Sequence, residues 1–158
     1  MVQEIIRPME RADVTRVHEI ECTCFRSPWS RLALLGELRN DVAHYLVMEA
    51  DGLIIGYGGM WLLFEEAHVT NVAIMPDYRG QGRGRRLMLA MMRHAVQRGA
   101  EKMTLEVRET NTVAQKLYEG LNFEQNGFRA GYYSDTGEGA MLLWNEDIQQ
   151  TLDRENNT

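Results

Sequence analysis

Four arginines and three glycines fall in the eight positions from Arg79 to Arg86, RGQGRGRR, in a chain whose formal net charge is −6. Such residues can serve two chemistries. Arginines spread over a surface attract nucleic acid, whereas glycines between a strand and a helix let several backbone N–H groups converge on one compact anion. The cluster holds no aromatic residue on which a base could stack, and a chain that is acidic on balance repels a polyanion. A hydrophobic run, HVTNVAIM, precedes the cluster and an amphipathic run follows it, so the glycines sit where a strand hands over to a helix. This order predicts a phosphate group held by backbone amides at the positive end of a helix, and no nucleic-acid partner.

Two familiar phosphate loops do not fit. The nucleoside-triphosphate loop ends in Gly-Lys-Ser/Thr, but Gly84 is followed by Arg85 and Arg86. The dinucleotide pattern needs its third glycine one position later than Gly84. Metal chemistry has no support either. His18, His44, His68 and His94 stand singly, and Cys22 and Cys24 point apart if they lie on a helix, so no metal is expected.

The elements that must position the turn follow from periodicity. Val14, Val17, Ile20 and Cys24 recur at helical spacing within residues 10–24, and Ser30 of SPWS can cap a second helix, RLALLGELR. HYLVMEA and LIIGYGGMWLLF predict two strands joined at Asp51-Gly52, a hairpin dipeptide, and HVTNVAIM predicts the next. Leu87, Met88, Met91, Met92 and Ala95 make one face of a helix that Gly99 ends. KMTLEVR alternates, with Met103, Leu105 and Val107 on one face and Lys102, Thr104 and Glu106 on the other. Ala114, Leu117, Tyr118 and Leu121 predict a short helix, after which FEQNGFRAGYY and AMLLW close the sheet. Taken alone, Asn126-Gly127 within that stretch reads as a hairpin turn. The result is a mixed α/β or α+β chain, with one domain over residues 1–146 and a frayed polar tail over 147–158. No apolar run is long enough for a membrane span, and the N-terminal residues lack a signal-peptide core, so a cytoplasmic protein without a membrane partner is expected.

Arg79-x-x-Gly82-x-Gly84 after a hydrophobic strand resembles the acetyl-coenzyme A motif of the GCN5-related N-acetyltransferase (GNAT) superfamily. LEVRETNTVAQKLYEGLNF, residues 105–123, is similar to the LEVRxxNxxAxxLYxxxGF signature of its RimI-type ribosomal-protein-alanine branch, and SPWS and RAGYYSDTGEGAMLLW extend the likeness over most of the chain. The resemblance implies a mixed, mostly antiparallel sheet of about seven strands, splayed between the fourth and fifth at the acetyl-coenzyme A cleft and flanked by about four helices, and it runs one bent strand through Asn126-Gly127. It also implies that the amides of Arg79, Gly80, Gln81, Gly82, Arg83, Gly84 and Arg85 hold the pyrophosphate. Val72 and Ile74 would pair with the pantetheine arm, and Asn111 would approach it.

Acetyl transfer to an amine needs two proton handlers, one to take a proton from the ammonium and one to give a proton to the departing thiolate. The resemblance assigns these tasks to Glu106 and Tyr118, and gives the peptide entrance to Trp29, Tyr132 and Tyr133. Position alone favours reading Glu106 as a solvent-facing strand residue, and allows Tyr118 as a packed ring and Asn111 as a helix N-cap. Glu65, Glu66, Asp135 and Glu138 offer acids that could attract a basic tail. The implied reaction is direct acetylation, in a ternary complex, of the N-terminal α-amine, alanine by the branch, of a small-subunit ribosomal protein. A lysine side chain or small amine as acceptor, or an acyl-coenzyme A binding regulator without turnover, remain alternatives. Asn122, Phe128 and Gly139 depart from the branch pattern and put the acceptor, more than the chemistry, in question.

Overall fold

The structure is a computed structural model that describes residues 2–157. The described residues form seven strands and five α-helices in two compact units. One unit comprises the chain up to Leu62 together with Thr70–Met91, and the other comprises Leu63–Val69 and the chain from Met92 onward. Among the described residues no helix is long and apolar enough to cross a membrane.

The first unit is built from β1 (Glu4–Pro8), α1 (Val14–Cys24), α2 (Arg31–Glu37), β2 (Ala43–Ala50), β3 (Leu53–Leu63), most of β4 (Glu66–Ile74) and the start of α3 (Arg83–Val96). β1 pairs antiparallel with β2, and β2 with β3. The hairpin at Asp51-Gly52 forms as the dipeptide predicts, with φ +50° and +85° at its two residues. Ser30 caps α2 by accepting from the Ala33 N–H at 3.1 Å. Val14, Val17 and Ile20 of α1 are buried with Tyr45, Val47 and Tyr57 of the sheet. Each aliphatic chain so enclosed contributes about 1.5–3 kcal/mol.

Sequence periodicity did not reveal β1. Its EIIRP stretch has only two apolar residues and ends in proline, which a sheet tolerates at an edge. Beyond its pairing with β2 it is secured by a side chain: Arg7 donates to both oxygens of Asp13, at 2.8 and 2.9 Å, and to Glu49 at 2.7 Å. This pairing holds the Asp13 carboxyl below the usual range.

The second unit holds β5 (Lys102–Arg108), α4 (Thr112–Gly120), β6 (Glu124–Arg129), β7 (Ala140–Asn145) and α5 (Ile148–Asn156). β7 lies between β5 and β6, antiparallel to both. The sheet order is β1-β2-β3-β4-β5-β7-β6, and the one parallel register, β4 with β5, covers Glu66↔Lys102, Ala67↔Met103 and His68↔Thr104. β4 continues six residues past that register, to Ile74.

Two expectations are corrected. Asn126-Gly127 does not form the hairpin turn that the dipeptide suggests by itself: β6 runs through it as one strand, as the resemblance implies, with a bulge between Gln125 and Phe128 where Gly127 takes φ +131°. The tail is not frayed over its described residues, because α5 buries Ile148, Thr151 and Leu152; Thr158 lies outside the described residues. Asp147 caps α5 through the Gln150 N–H, and Thr151 joins it to the turn after α4 by a hydrogen bond from Asn122 and to the end of β7 by one from Asn145. The i, i+3, i+4 spacing of the three buried residues was present in a segment whose polarity disguised it.

Candidate active site

At the end of β4 the Met75 N–H donates to the Ile55 carbonyl of β3 at 2.7 Å. Successive strand N–H groups point to opposite edges, so the amides of Val72 and Ile74 project from the other edge of β4. The chain then turns through Pro76–Tyr78 into α3. Gly80 and Gly82 take φ +83° and +77°, the left-handed region that glycine enters without strain. The first helical bond is the Arg86 N–H to the Gly82 carbonyl, which leaves the N–H groups at Arg83 and Gly84 without an i−4 partner in the helix. A Cβ added at Gly80 would meet nothing within 4 Å, so a phosphate can approach this backbone.

The arginine side chains have other tasks. Arg79 Nε donates to the Ile74 carbonyl at 2.8 Å and braces the end of β4. Arg83 is buried: it donates to the Tyr78 carbonyl and to Gln81 Oε1, and lies 3.3 Å from Glu4. Arg86 makes two bonds to the Glu4 carboxylate, at 2.6 and 2.9 Å. Of the three expected anion ligands with cationic side chains, Arg79 and Arg83 thus engage their guanidinium groups within the protein, which leaves their backbone amides for the anion. Arg85 is half-buried.

In the second unit, Met103, Leu105 and Val107 of β5 are buried while Glu106 and Arg108 share the other face. Arg129 Nε of β6 lies 3.9 Å from Glu106 Oε1, and the Tyr132 hydroxyl, facing the same carboxylate, has its pKa raised by donating to it. Tyr118 packs edge-on against Phe123, centroids 5.6 Å apart. Burial pushes its phenol up to about 12, with Tyr133 adding a smaller push. Asn111 is the N-cap of α4, accepting from the Ala114 N–H at 3.1 Å. Tyr132 and Tyr133 stack at 5.1 Å. Trp29 is in the first unit, half-buried against its core.

Asp135 and Glu138 do not stand ready for a basic tail. Both carboxylates engage Arg108, and Glu138 also accepts from Thr110 and Thr136. Those bonds, Thr110 first, hold Glu138 below the usual carboxylate range. Glu66 is likewise engaged, 2.9 Å from His68 Nε2.

The departures from the branch pattern have physical reasons. Asn122 takes φ +68°, where a glycine is usual and asparagine is the best-tolerated alternative, and its amide is tied to Thr151 and Arg154. Phe128 and Gly139 are one change, because the Phe128 ring occupies the space where a Gly139 Cβ would be. Sequence reasoning also passed over Glu21, which is 1% exposed. Its carboxylate accepts from Asn71 of β4 at 2.9 Å, and Asn71 reaches the Tyr57 hydroxyl at 3.1 Å. Burial pushes the Glu21 carboxyl up, offset in part by Tyr57, Asn71 and the Trp29 backbone.

A strand whose alternate amides face away from its neighbour, followed by a left-handed glycine turn into a helix, offers a backbone cradle for a phosphate-bearing ligand. Residues 14–123 match the acetyltransferase (GNAT) family, and the chain belongs to that family of N-acetyltransferases. It is 41% identical over 140 residues, 88% of this chain and 93% of the other, to a Bacillus subtilis (strain 168) protein provisionally named a ribosomal protein bS18-alanine N-acetyltransferase. A Haemophilus ducreyi protein of the same name, without the qualifier, is 36% identical over 132 residues, 82% of this chain and 88% of its own. The crystal structure of the Escherichia coli ribosomal-protein-S18-alanine N-acetyltransferase superposes with a TM-score of 0.83 at 28% identity, covering 90% of this chain and 92% of that one.

Proposed function

We propose that the protein transfers the acetyl group of acetyl-coenzyme A directly to the N-terminal α-amine of an alanine on the small-subunit ribosomal protein bS18. The observation that carries this reading is the near full-length similarity to relatives named for that acceptor.

In this reading the amides of the Arg79–Arg85 turn bind the pyrophosphate, and the Val72 and Ile74 N–H groups pair with the pantetheine arm as a strand would. One of them donates to the carbonyl oxygen as negative charge develops there. Glu106 takes a proton from the α-ammonium through water, which frees the lone pair that forms the C–N bond, and the nitrogen sheds its second proton to water as the C–S bond breaks and the amide forms. Tyr118 donates a hydrogen bond to the departing sulfur. With its phenol near 12, it remains protonated throughout the neutral range. Full transfer to a thiolate of ordinary pKa is uphill by about 3 units, roughly 4–5 kcal/mol, so it stabilises the leaving group chiefly as a donor. Trp29, Tyr132 and Tyr133 border the peptide.

Thiol release from acetyl-coenzyme A with two matched peptides tests the reading. One peptide has a free N-terminal alanine and no lysine, and the other is N-terminally blocked with one internal lysine. Turnover with the first alone is the expected result. Turnover with the second alone moves the acceptor to a lysine side chain, and silence with both overturns the peptide acceptor.

A further inference from the structure

Arg108 ends the LEVR block, and neither the coenzyme nor the acceptor gives it a task. Its guanidinium lies 4.0 Å from the centre of the Tyr133 ring, over its face. The edge of the same group is bound by both oxygens of Asp135, at 3.0 and 2.8 Å, and by Glu138 at 3.2 Å. Tyr133 stacks on Tyr132 with an interplanar angle of 20°. Tyr132 in turn lies under Arg129, whose guanidinium carbon is 5.7 Å from the ring centre and whose Nε is 3.9 Å from Glu106. The run therefore leaves β5 at Arg108, passes through two rings and one more arginine, and returns to β5 at Glu106. These two residues share a face because they are two apart on a strand.

Tyr132 is 44% exposed, and alone it would sample several rotamers. Stacking removes that freedom only if Tyr133 is itself fixed. The Tyr133 backbone is held by the bonds of its N–H to the Glu138 carbonyl and of its carbonyl to the Gly137 N–H, but these leave the ring to be set by Arg108. A planar guanidinium can lie on a ring with its face while its edge takes a carboxylate bidentately, which an ammonium cannot.

We propose that Arg108 is a positioning residue for acetyl transfer: by fixing Tyr133, and through it Tyr132 and Arg129, it sets where the Glu106 carboxylate points. This rests on the reading of Glu106 as the base. Arg108→Lys keeps the charge beside Asp135 and Glu138 and removes the stacked plane. Tyr132→Phe keeps the stack and removes the hydroxyl.

Steady-state kinetics with acetyl-coenzyme A and the free-alanine peptide test the idea on the two single variants, their double variant and Glu106→Gln. Arg108→Lys and Tyr132→Phe each lower kcat about tenfold, less than the ~10²-fold that a misplacement of about 1 Å can cost. The KM for acetyl-coenzyme A stays at its parental value, and the double variant is no worse than the more severe single, since both act along one line of contact. Multiplying effects, or parental kcat in Arg108→Lys, overturn the proposal. Tyr133→Leu keeps Arg108 with both its acids and reads the same link should Arg108→Lys fold poorly. A Glu106→Gln enzyme at parental rate sinks the base assignment and the role of Arg108 with it. An impaired Glu106→Gln enzyme beside an unimpaired Arg108→Lys enzyme sinks the role of Arg108 alone.

Discussion

The turn between β4 and α3 and the segment between β6 and β7 are both candidate binding surfaces, and they are made of different material. In the turn, Gly80 and Gly82 in left-handed conformation open the backbone, while Arg79, Arg83 and Arg86 brace it through bonds to the Ile74 and Tyr78 carbonyls and to Glu4. In the segment from Arg129 to Glu138, Gly131 and Gly137 are left-handed as well, but what is set out there is a pile of rings and guanidinium groups. A surface of amides can hold a phosphate whatever else the ligand carries. A surface of stacked side chains reads shape and can direct one carboxylate. On the proposed function, the first governs affinity for the coenzyme, and the second turnover with the acceptor.

The largest effect that would test this division is at Glu106. Glu106→Gln lowers kcat by about 10²–10⁴-fold, the range for a general base, while the dissociation constant for acetyl-coenzyme A, measured by calorimetry, stays at the parental value. A parallel loss of coenzyme affinity would erase the division. Gly82→Val is the converse. A branched residue at φ +77° costs about 1–3 kcal/mol of backbone strain, so coenzyme binding weakens about tenfold to a hundredfold, whereas kcat at saturating coenzyme is kept.

A smaller effect sharpens the contrast from the stability side. Gly139→Ala places a methyl group on the Phe128 ring and destabilises by about 1–3 kcal/mol, as overpacking does. Adding Phe128→Leu restores most of the loss in urea unfolding, and an additive pair would show that the two positions are independent.

The smallest effects are in pH dependence, and their signs oppose. Glu138 is held below the ordinary 4.5 chiefly by its bond from Thr110, so its stabilisation is present above pH 4.5 and is lost as pH falls through its folded value. Glu21 is raised above 4.5 by burial; its stabilisation is present below that pH and fades as pH rises through its folded value. Urea midpoints recorded from pH 3 to 8, about the span in which carboxylates respond, should lose part of the acid limb in Glu138→Gln. In Glu21→Gln they should lose part of the decline on the alkaline side.

The same contrast explains what the sequence could disclose. The glycine turn was legible because its function lies in backbone conformation, and glycine spacing between a strand and a helix states that conformation directly. The α3 face was legible for a similar reason, since Leu87, Met88, Met91, Met92 and Ala95 are all fully buried on one helical stripe. Ser30 and Asn111 cap the helices that their types suggested. The ladder was not legible. Arg108 and Tyr133 are 25 positions apart, and nothing local distinguishes a stacked arginine from a solvated one. β1 and α5 escaped because each is secured by a few polar contacts, Arg7 with Asp13 and Thr151 with Asn122, where the apolar pattern is thin. Asn122, Phe128 and Gly139 looked like departures while they were judged one at a time. In three dimensions the first supplies a left-handed residue, and the other two fit each other.

The core has a chemical side that its packing conceals. Met88, Met91 and Met92 of α3, with Met48, Met60 and Met103 of the sheet, are wholly enclosed, and Met91 sulfur lies where a Cβ on Gly58 would be, 2.5 Å away. In the folded chain peroxide has no path to these thioethers. Each momentary unfolding uncovers them, and a sulfoxide formed then is too polar and too large to return to its place. Under oxidising conditions the lifetime of the protein is therefore set by how often it opens, and unfolding that is reversible in a reducing buffer becomes a one-way loss.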